Sequence, residues 1–131
     1  MCIFCKIING EIPSKKVYED ENTIAILDIS QATKGHTLVL PKKHYTNLLE
    51  ISDNDYNNVM IVTKKLAKKI TTNLNAEGVN ILNNCGVAAG QTVMHYHVHI
   101  IPRYKEDDLV ISFNDHSKDY SLEEIQSLIN K

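Results

Sequence analysis

Two stretches rich in β-forming residues, Val17 to Glu19 and Thr23 to Asp28, are separated by the polar Asp20, Glu21 and Asn22, and together they predict a β-hairpin. A second apolar run, Thr37 to Leu40, follows Lys34 and Gly35 and is closed by Pro41, which cannot donate to a sheet ladder. Ser52 with Asp55 makes a helix-capping pattern, and Val59, Met60, Thr63, Leu66, Ala67, Ile70 and Leu74 then recur at helical spacing. One amphipathic helix of about five turns is expected. Val79 to Leu82 reads as a strand, and a loop from Asn83 to about Thr92 leads into the alternating run from His95 to Ile101. Ser121 and Glu124 form a second capping pattern ahead of Leu122, Ile125, Leu128 and Ile129, predicting a short C-terminal helix. Strands grouped apart from two helices imply an α+β fold with an antiparallel sheet of about five strands.

The chain of 131 residues fits one domain, residues 1–131, able to bury a core without disulfide staples. Hydrophobic residues at 43% exclude intrinsic disorder, and no apolar run approaches a membrane span. A net charge of −2 and an isoelectric point near 6.3 supply no field to hold a polyanion, so nucleic acid is not expected as a partner. Lys64, Lys65, Lys68 and Lys69 read as a solvated helix face. Three cysteines leave one unpaired in any scheme, and Met1 to Ile12 lack the apolar core of a secretory signal. A reducing, cytoplasmic setting follows, with metal binding the better reading of Cys2 and Cys5.

His95, His97 and His99 occupy every second position, so a strand would aim all three at one face. Neighbouring same-face side chains stand about 7 Å apart and the outer two about 13 Å apart, so His95 and His99 cannot share one ion without a bend. Different tasks for the three imidazoles are implied. Burying them without partners would cost a few kcal/mol each, which requires a wet face, a metal or a reactive cleft. The preceding loop offers Asn84, Gly86, Gly90, Gln91 and Thr92, small and amide residues whose backbone N–H groups can hold an anion. An anion-holding loop beside an imidazole suits nucleophilic attack on a phosphate. Cys2-Ile3-Phe4-Cys5 is a lone Cys-x-x-Cys pair, open on its own to redox, metal-binding or incidental readings.

The run His95-Tyr96-His97-Val98-His99-Ile100-Ile101 resembles the His-φ-His-φ-His-φ-φ motif of the histidine triad (HIT) family of nucleotide hydrolases and transferases. Ile3 to Ile8, Glu11-Ile12-Pro13, Leu27 to Ser30, Gly35 to His44 and Gly90-Gln91-Thr92 resemble, in order, the Hint-type and bacterial Hit branch. This resemblance implies that His97 attacks the α-phosphate to form a covalent nucleotidyl-histidine, that His36 supports the nucleophile, and that His99 contacts phosphate and helps protonate the leaving group. It implies that Asn84, Gly90, Gln91 and Thr92 hold phosphate oxygens and the leaving group. Asp28 would take the ribose hydroxyls, and Ile3, Phe4, Ile7, Ile26 and Ile29 would form a slot for the base. By the same resemblance Cys2, Cys5, His44 and His95 would hold one structural zinc per chain, which suits a closed tetrahedral site. The implied activity is hydrolysis of purine nucleoside 5′-phosphoramidates or related nucleotide conjugates by a homodimer. The alternatives are a dinucleoside polyphosphate hydrolase of the same family, a nucleotide-binding or scaffold protein with incidental hydrolysis, and a zinc hydrolase using His97, His99 and His36 as ligands. The chain has no tryptophan and departs from the Hint-type C-terminal segment, which leaves substrate choice open.

Overall fold

The computed structural model describes residues 2–131. Five strands form one antiparallel sheet: β1 (Lys16–Glu19), β2 (Thr23–Leu27), β3 (Thr37–Pro41), β4 (Gly78–Leu82) and β5 (Val98–Arg103), in the order β1-β2-β3-β5-β4. The expected α+β architecture is therefore present. The β1–β2 turn is held by Asp20, whose Oδ1 accepts the N–H groups of Asn22 and Thr23 at 2.8 and 2.9 Å. Strand β3 ends at Pro41, as the missing donor requires.

Helix α2 (Asp53–Asn73) starts where Ser52 Oγ accepts the Asp55 N–H at 3.2 Å. Its Val59, Val62 and Leu66 pack with Ala25, Val39, Val98 and Ile100 on one face of the sheet. The opposite face carries Ile24, Ile26, Leu38 and Leu40, covered by Phe4 and flanked by Cys2, Ile7, Ile8 and Val93. That cover is helix α1 (Ile3–Ile8), absent from the sequence expectation. Six residues are too few to show a helical period. Its start is fixed by Cys2, whose sulfur accepts the Cys5 N–H at 3.2 Å. Helix α3 (Leu122–Ile129) forms as expected behind Ser121, and none of its residues is buried.

The histidine run departs from the expected continuous strand. Ladder pairing begins only at Val98, opposite Val39, so His99 alone of the three lies within β5. Upstream, the Tyr96 N–H donates to the Tyr45 carbonyl at 2.7 Å, outside the sheet. His95 and His97 thus precede β5.

Candidate active site and metal centre

On the α1 face lies a cavity of about 420 Å³, a size typical of small-molecule sites. Its walls include Ile3, Phe4 and Ile7 of α1, Ile26, Asp28 and Ile29 at the end of β2, Asn84, Gly90 and Thr92 of the loop, and His97 and His99. The lining combines apolar side chains with imidazole and amide groups. Phe4 meets the His97 ring edge-on at 5.0 Å between centroids, and the His97 and His99 rings stand equally close, at 5.0 Å.

His97 is oriented by its own backbone: Nδ1 lies 2.7 Å from the His95 carbonyl oxygen. A carbonyl only accepts, so Nδ1 carries the proton and the lone pair resides on Nε2. Asn83 holds the same segment by donating its side-chain N–H to the His97 carbonyl at 2.9 Å. His36, placed just before β3, has its Nε2 at 2.9 Å from Nδ1 of His99, while the Ala32 N–H donates to its Nδ1 at 3.1 Å. The direct partner of His36 is therefore His99 and not the nucleophile candidate. Asp28 accepts the Ser30 N–H on Oδ1 at 2.8 Å, and its Oδ2 lies 3.6 Å from His36 Nε2.

Burial pushes the pKa values of His36 and His97 below the usual imidazole range, with Asp28 opposing in both and the His95 carbonyl opposing in His97. His99 is pushed down to about 4, first by burial and then by the neighbouring His97 and His36. All three are neutral at pH 7. As pH falls from the unfolded value of 6.5 toward about 4, the unfolded chain takes up a proton at His99 that the folded chain refuses, so stability is lost across that window. Denaturant unfolding is expected to give a lower free energy at pH 5 than at pH 7.5, and the difference is expected to shrink in His99→Asn. An unchanged difference in that variant would contradict the assignment.

A second cluster lies behind the first. Cys2, Cys5, His44 and His95 bring their ligand atoms within 4.8 Å of one another. The four sulfur–nitrogen separations are 3.6, 3.4, 3.4 and 3.6 Å, and the two Nδ1 atoms are 3.2 Å apart. Tetrahedral zinc with ordinary bond lengths has S···N edges of about 3.6 Å and an N···N edge of about 3.3 Å. The agreement extends to the tautomer: His95 Nε2 lies 2.9 Å from the Pro41 carbonyl, so it carries the proton and leaves Nδ1 as a lone-pair donor toward the sulfurs. His95 is fully buried and His44 is exposed, so the cluster reaches from the core to the surface. These four residues fit a metal ion.

The HIT domain family model matches residues 9–106. The chain belongs to the HIT family. It is 51% identical over 128 residues to Protein hit of Bacillus subtilis, covering 97% of this chain and 88% of that protein. Adenosine 5′-monophosphoramidase hnt1 of Schizosaccharomyces pombe is 42% identical over 106 residues, covering 81% of this chain and 77% of the relative. Among solved structures, a zinc-bound histidine triad family protein from Mycobacterium smegmatis superposes with a TM-score of 0.80 at 39% identity, covering 90% of this chain and 86% of that one.

Within this HIT domain the structure gathers His97, His99, Asp28, Ile29, Ile3, Phe4, Asn84, Gly90 and Thr92 around one cavity, with His36 behind His99. Gln91 stands apart from them. Its side chain is buried, accepting the Gly86 N–H at 2.8 Å and donating to the carbonyls of Thr46 and Val93 at 2.7 and 3.1 Å, so it braces the loop and does not line the cavity. Gly90 adopts a left-handed φ of +92° where the loop turns back toward the histidines. Two residues outside the sequence expectation matter locally. Asn83 fixes the His97 backbone, and the Gln31 side chain ties together the loop that carries Asp28 and His36. An adjacent Asn-Asn pair gave no sign of which amide faces the histidine strand.

Proposed function

We propose that this protein is a nucleotide hydrolase that cleaves purine nucleoside 5′-phosphoramidates or related nucleotide conjugates at the α-phosphate. The observation that carries the reading is the His97 tautomer: Nδ1–H is spent on the His95 carbonyl, leaving a neutral nucleophilic Nε2 on a ring lining the cavity. In the first step Nε2 forms a bond to the α-phosphorus while the bond to the leaving group breaks, its electron pair departing with that group, which takes up a proton from solvent. In the second step water attacks phosphorus and loses a proton to solvent, returning the electron pair to Nε2 and releasing the nucleoside monophosphate. Asn84, Gly90 and Thr92 border the phosphate end, and Gln91 keeps that loop in place. The unused acceptor capacity of Asp28 suits the ribose hydroxyls, and Ile3, Phe4, Ile7, Ile26 and Ile29 suit the base.

Cys2, Cys5, His44 and His95 hold one structural zinc on this reading, which anchors α1 and so the base wall. Hydrogen bonding counts against a zinc hydrolase built on His36, His97 and His99. His36 receives the Ala32 N–H on Nδ1, which leaves its Nε2 protonated and turned toward His99, so it does not ligate in this tautomer. The whole of residues 1–131 acts as one catalytic unit. Exposed Ile81 and Leu82 on edge strand β4, with Val110 and Phe113 beside them, support pairing of two copies as a homodimer. Three free cysteines suit a reducing, cytoplasmic setting, and no helix among the described residues is long and apolar enough to cross a membrane.

Turnover of adenosine 5′-phosphoramidate is expected to exceed that of a diadenosine polyphosphate under matched conditions, measured as AMP release. The reverse order would move the assignment to a dinucleoside polyphosphate hydrolase, and binding of AMP without turnover of either would leave a nucleotide-binding protein.

A further inference from the structure

We infer that Gln31 is a positioning residue that, with the Ala32 amide, sets the tautomers of His36 and His99 and so presents a hydrogen-bond donor, His99 Nε2–H, to the substrate. The inference rests on the hydrolase reading only for its catalytic consequence. The hydrogen-bond chain has one polarity. The Ala32 N–H can only donate, so Nδ1 of His36 is an acceptor and its Nε2 carries the proton. Nε2 lies 2.9 Å from His99 Nδ1, which must therefore accept, and the His99 proton resides on Nε2. A His36 ring of the other tautomer would place N–H against N–H at Ala32 and a lone pair against His99.

The direction of this chain depends on where the Ala32 amide points, and Gln31 holds that loop. Its Oε1 accepts the N–H groups of Gly35 and His36 at 2.8 and 3.1 Å, while its Nε2 donates to the carbonyls of Asp28 and His36 at 2.6 and 2.7 Å. One side chain thus closes the segment from Asp28 to His36 using all of its amide functions. The loop itself packs against the far end of β5 through Thr33, whose hydroxyl donates to the Pro102 carbonyl at 2.5 Å. Gly35, at a φ of +93°, completes the turn where an added Cβ would lie 2.5 Å from Leu74 Cδ1. Gln31 therefore fixes both the N–H and the carbonyl of His36 before its ring meets His99.

The test is a long-range proton–nitrogen correlation spectrum of histidine-labelled, metal-loaded protein without substrate, which reads the protonated nitrogen of each ring directly. Wild type is expected to show His36 and His99 both protonated on Nε2, and His97 on Nδ1. In Gln31→Ala, His36 and His99 are expected to shift toward mixed tautomers while His97 keeps its pattern, and kcat is expected to fall about 10- to 100-fold with KM nearly unchanged. Gln31→Glu keeps the two accepting arms and loses the donating pair, so an intermediate tautomer mixture is expected. Unchanged His36 and His99 tautomers in Gln31→Ala would overturn the inference, whether or not activity falls. If the tautomers shift but no protein form turns over a nucleotide, the positioning role stands and the hydrolase reading fails.

Discussion

Turnover of adenosine 5′-phosphoramidate is expected to fall by about 10⁴-fold or more in His97→Gln, with AMP affinity changed only severalfold. The magnitude follows from the absence of a substitute. His99 already uses Nδ1 toward His36, and His36 is one ring further from the cavity, so neither can place a lone pair where Nε2 of His97 stands. Glutamine retains much of the volume that packs against Phe4, which is 5.0 Å from the imidazole, so a loss of this size would report chemistry and not collapse of the base wall. Steady-state kinetics with a parallel AMP titration separates the two. Retention of more than about a tenth of wild-type kcat would remove His97 from the role of nucleophile.

The second large effect concerns the metal cluster. Cys5→Ser, or exhaustive chelation of wild type, is expected to remove one zinc per chain and to lower the melting temperature by about 10–20 °C, taking the ion to contribute about 4 kcal/mol. Cys2 and Cys5 flank Phe4, and the helix they anchor supplies Ile3, Phe4 and Ile7 to the cavity. Nucleotide affinity is therefore expected to weaken together with stability. Elemental analysis and thermal melting of the same samples decide the matter. Metal-free protein with an unchanged melting temperature would contradict a structural site. A folded metal-free protein whose activity alone vanishes and returns with zinc would revive catalytic metal chemistry.

Sequence patterning revealed those parts of the fold whose signals are local. Ser52 and the apolar spacing that follows mark α2, and the turn chemistry of Asp20 to Asn22 marks the first hairpin, because cap and periodicity act over a few residues. Helix α1 escaped notice because its stability comes from outside itself: a sulfur cap at Cys2, packing onto Ile24 and Leu38, and the Cys and His cluster. Alternation at His95 to Ile101 read as one strand, yet His95 and His97 send ring N–H groups to the carbonyls of Pro41 and of His95 itself, and pairing waits until Val98. Alternation records which way side chains point. It does not record what the backbone pairs with.

The candidate site was legible where chemistry is unusual and illegible where it is ordinary. Three alternating histidines and a Cys-x-x-Cys pair draw attention as residue types, and the structure assigns them to adjacent but separate clusters, with His95 in one and His97 and His99 in the other. Gln31, Asn83 and the Pro41 carbonyl are common groups whose importance lies in three-dimensional hydrogen bonding. Gln91 illustrates the converse. Its place in a resembling motif suggested ligand contact, while its buried amide spans Gly86, Thr46 and Val93.

The central claim is that His97 becomes covalently nucleotidylated during turnover. Intact-protein mass spectrometry after rapid quenching without acid, with adenosine 5′-phosphoramidate as substrate, tests it directly. An AMP-sized adduct that maps to His97 in the wild type and is missing in His97→Ala is the expected result. Undiminished turnover in wild type with no adduct at any quench time, or an adduct that persists in His97→Ala, would contradict it.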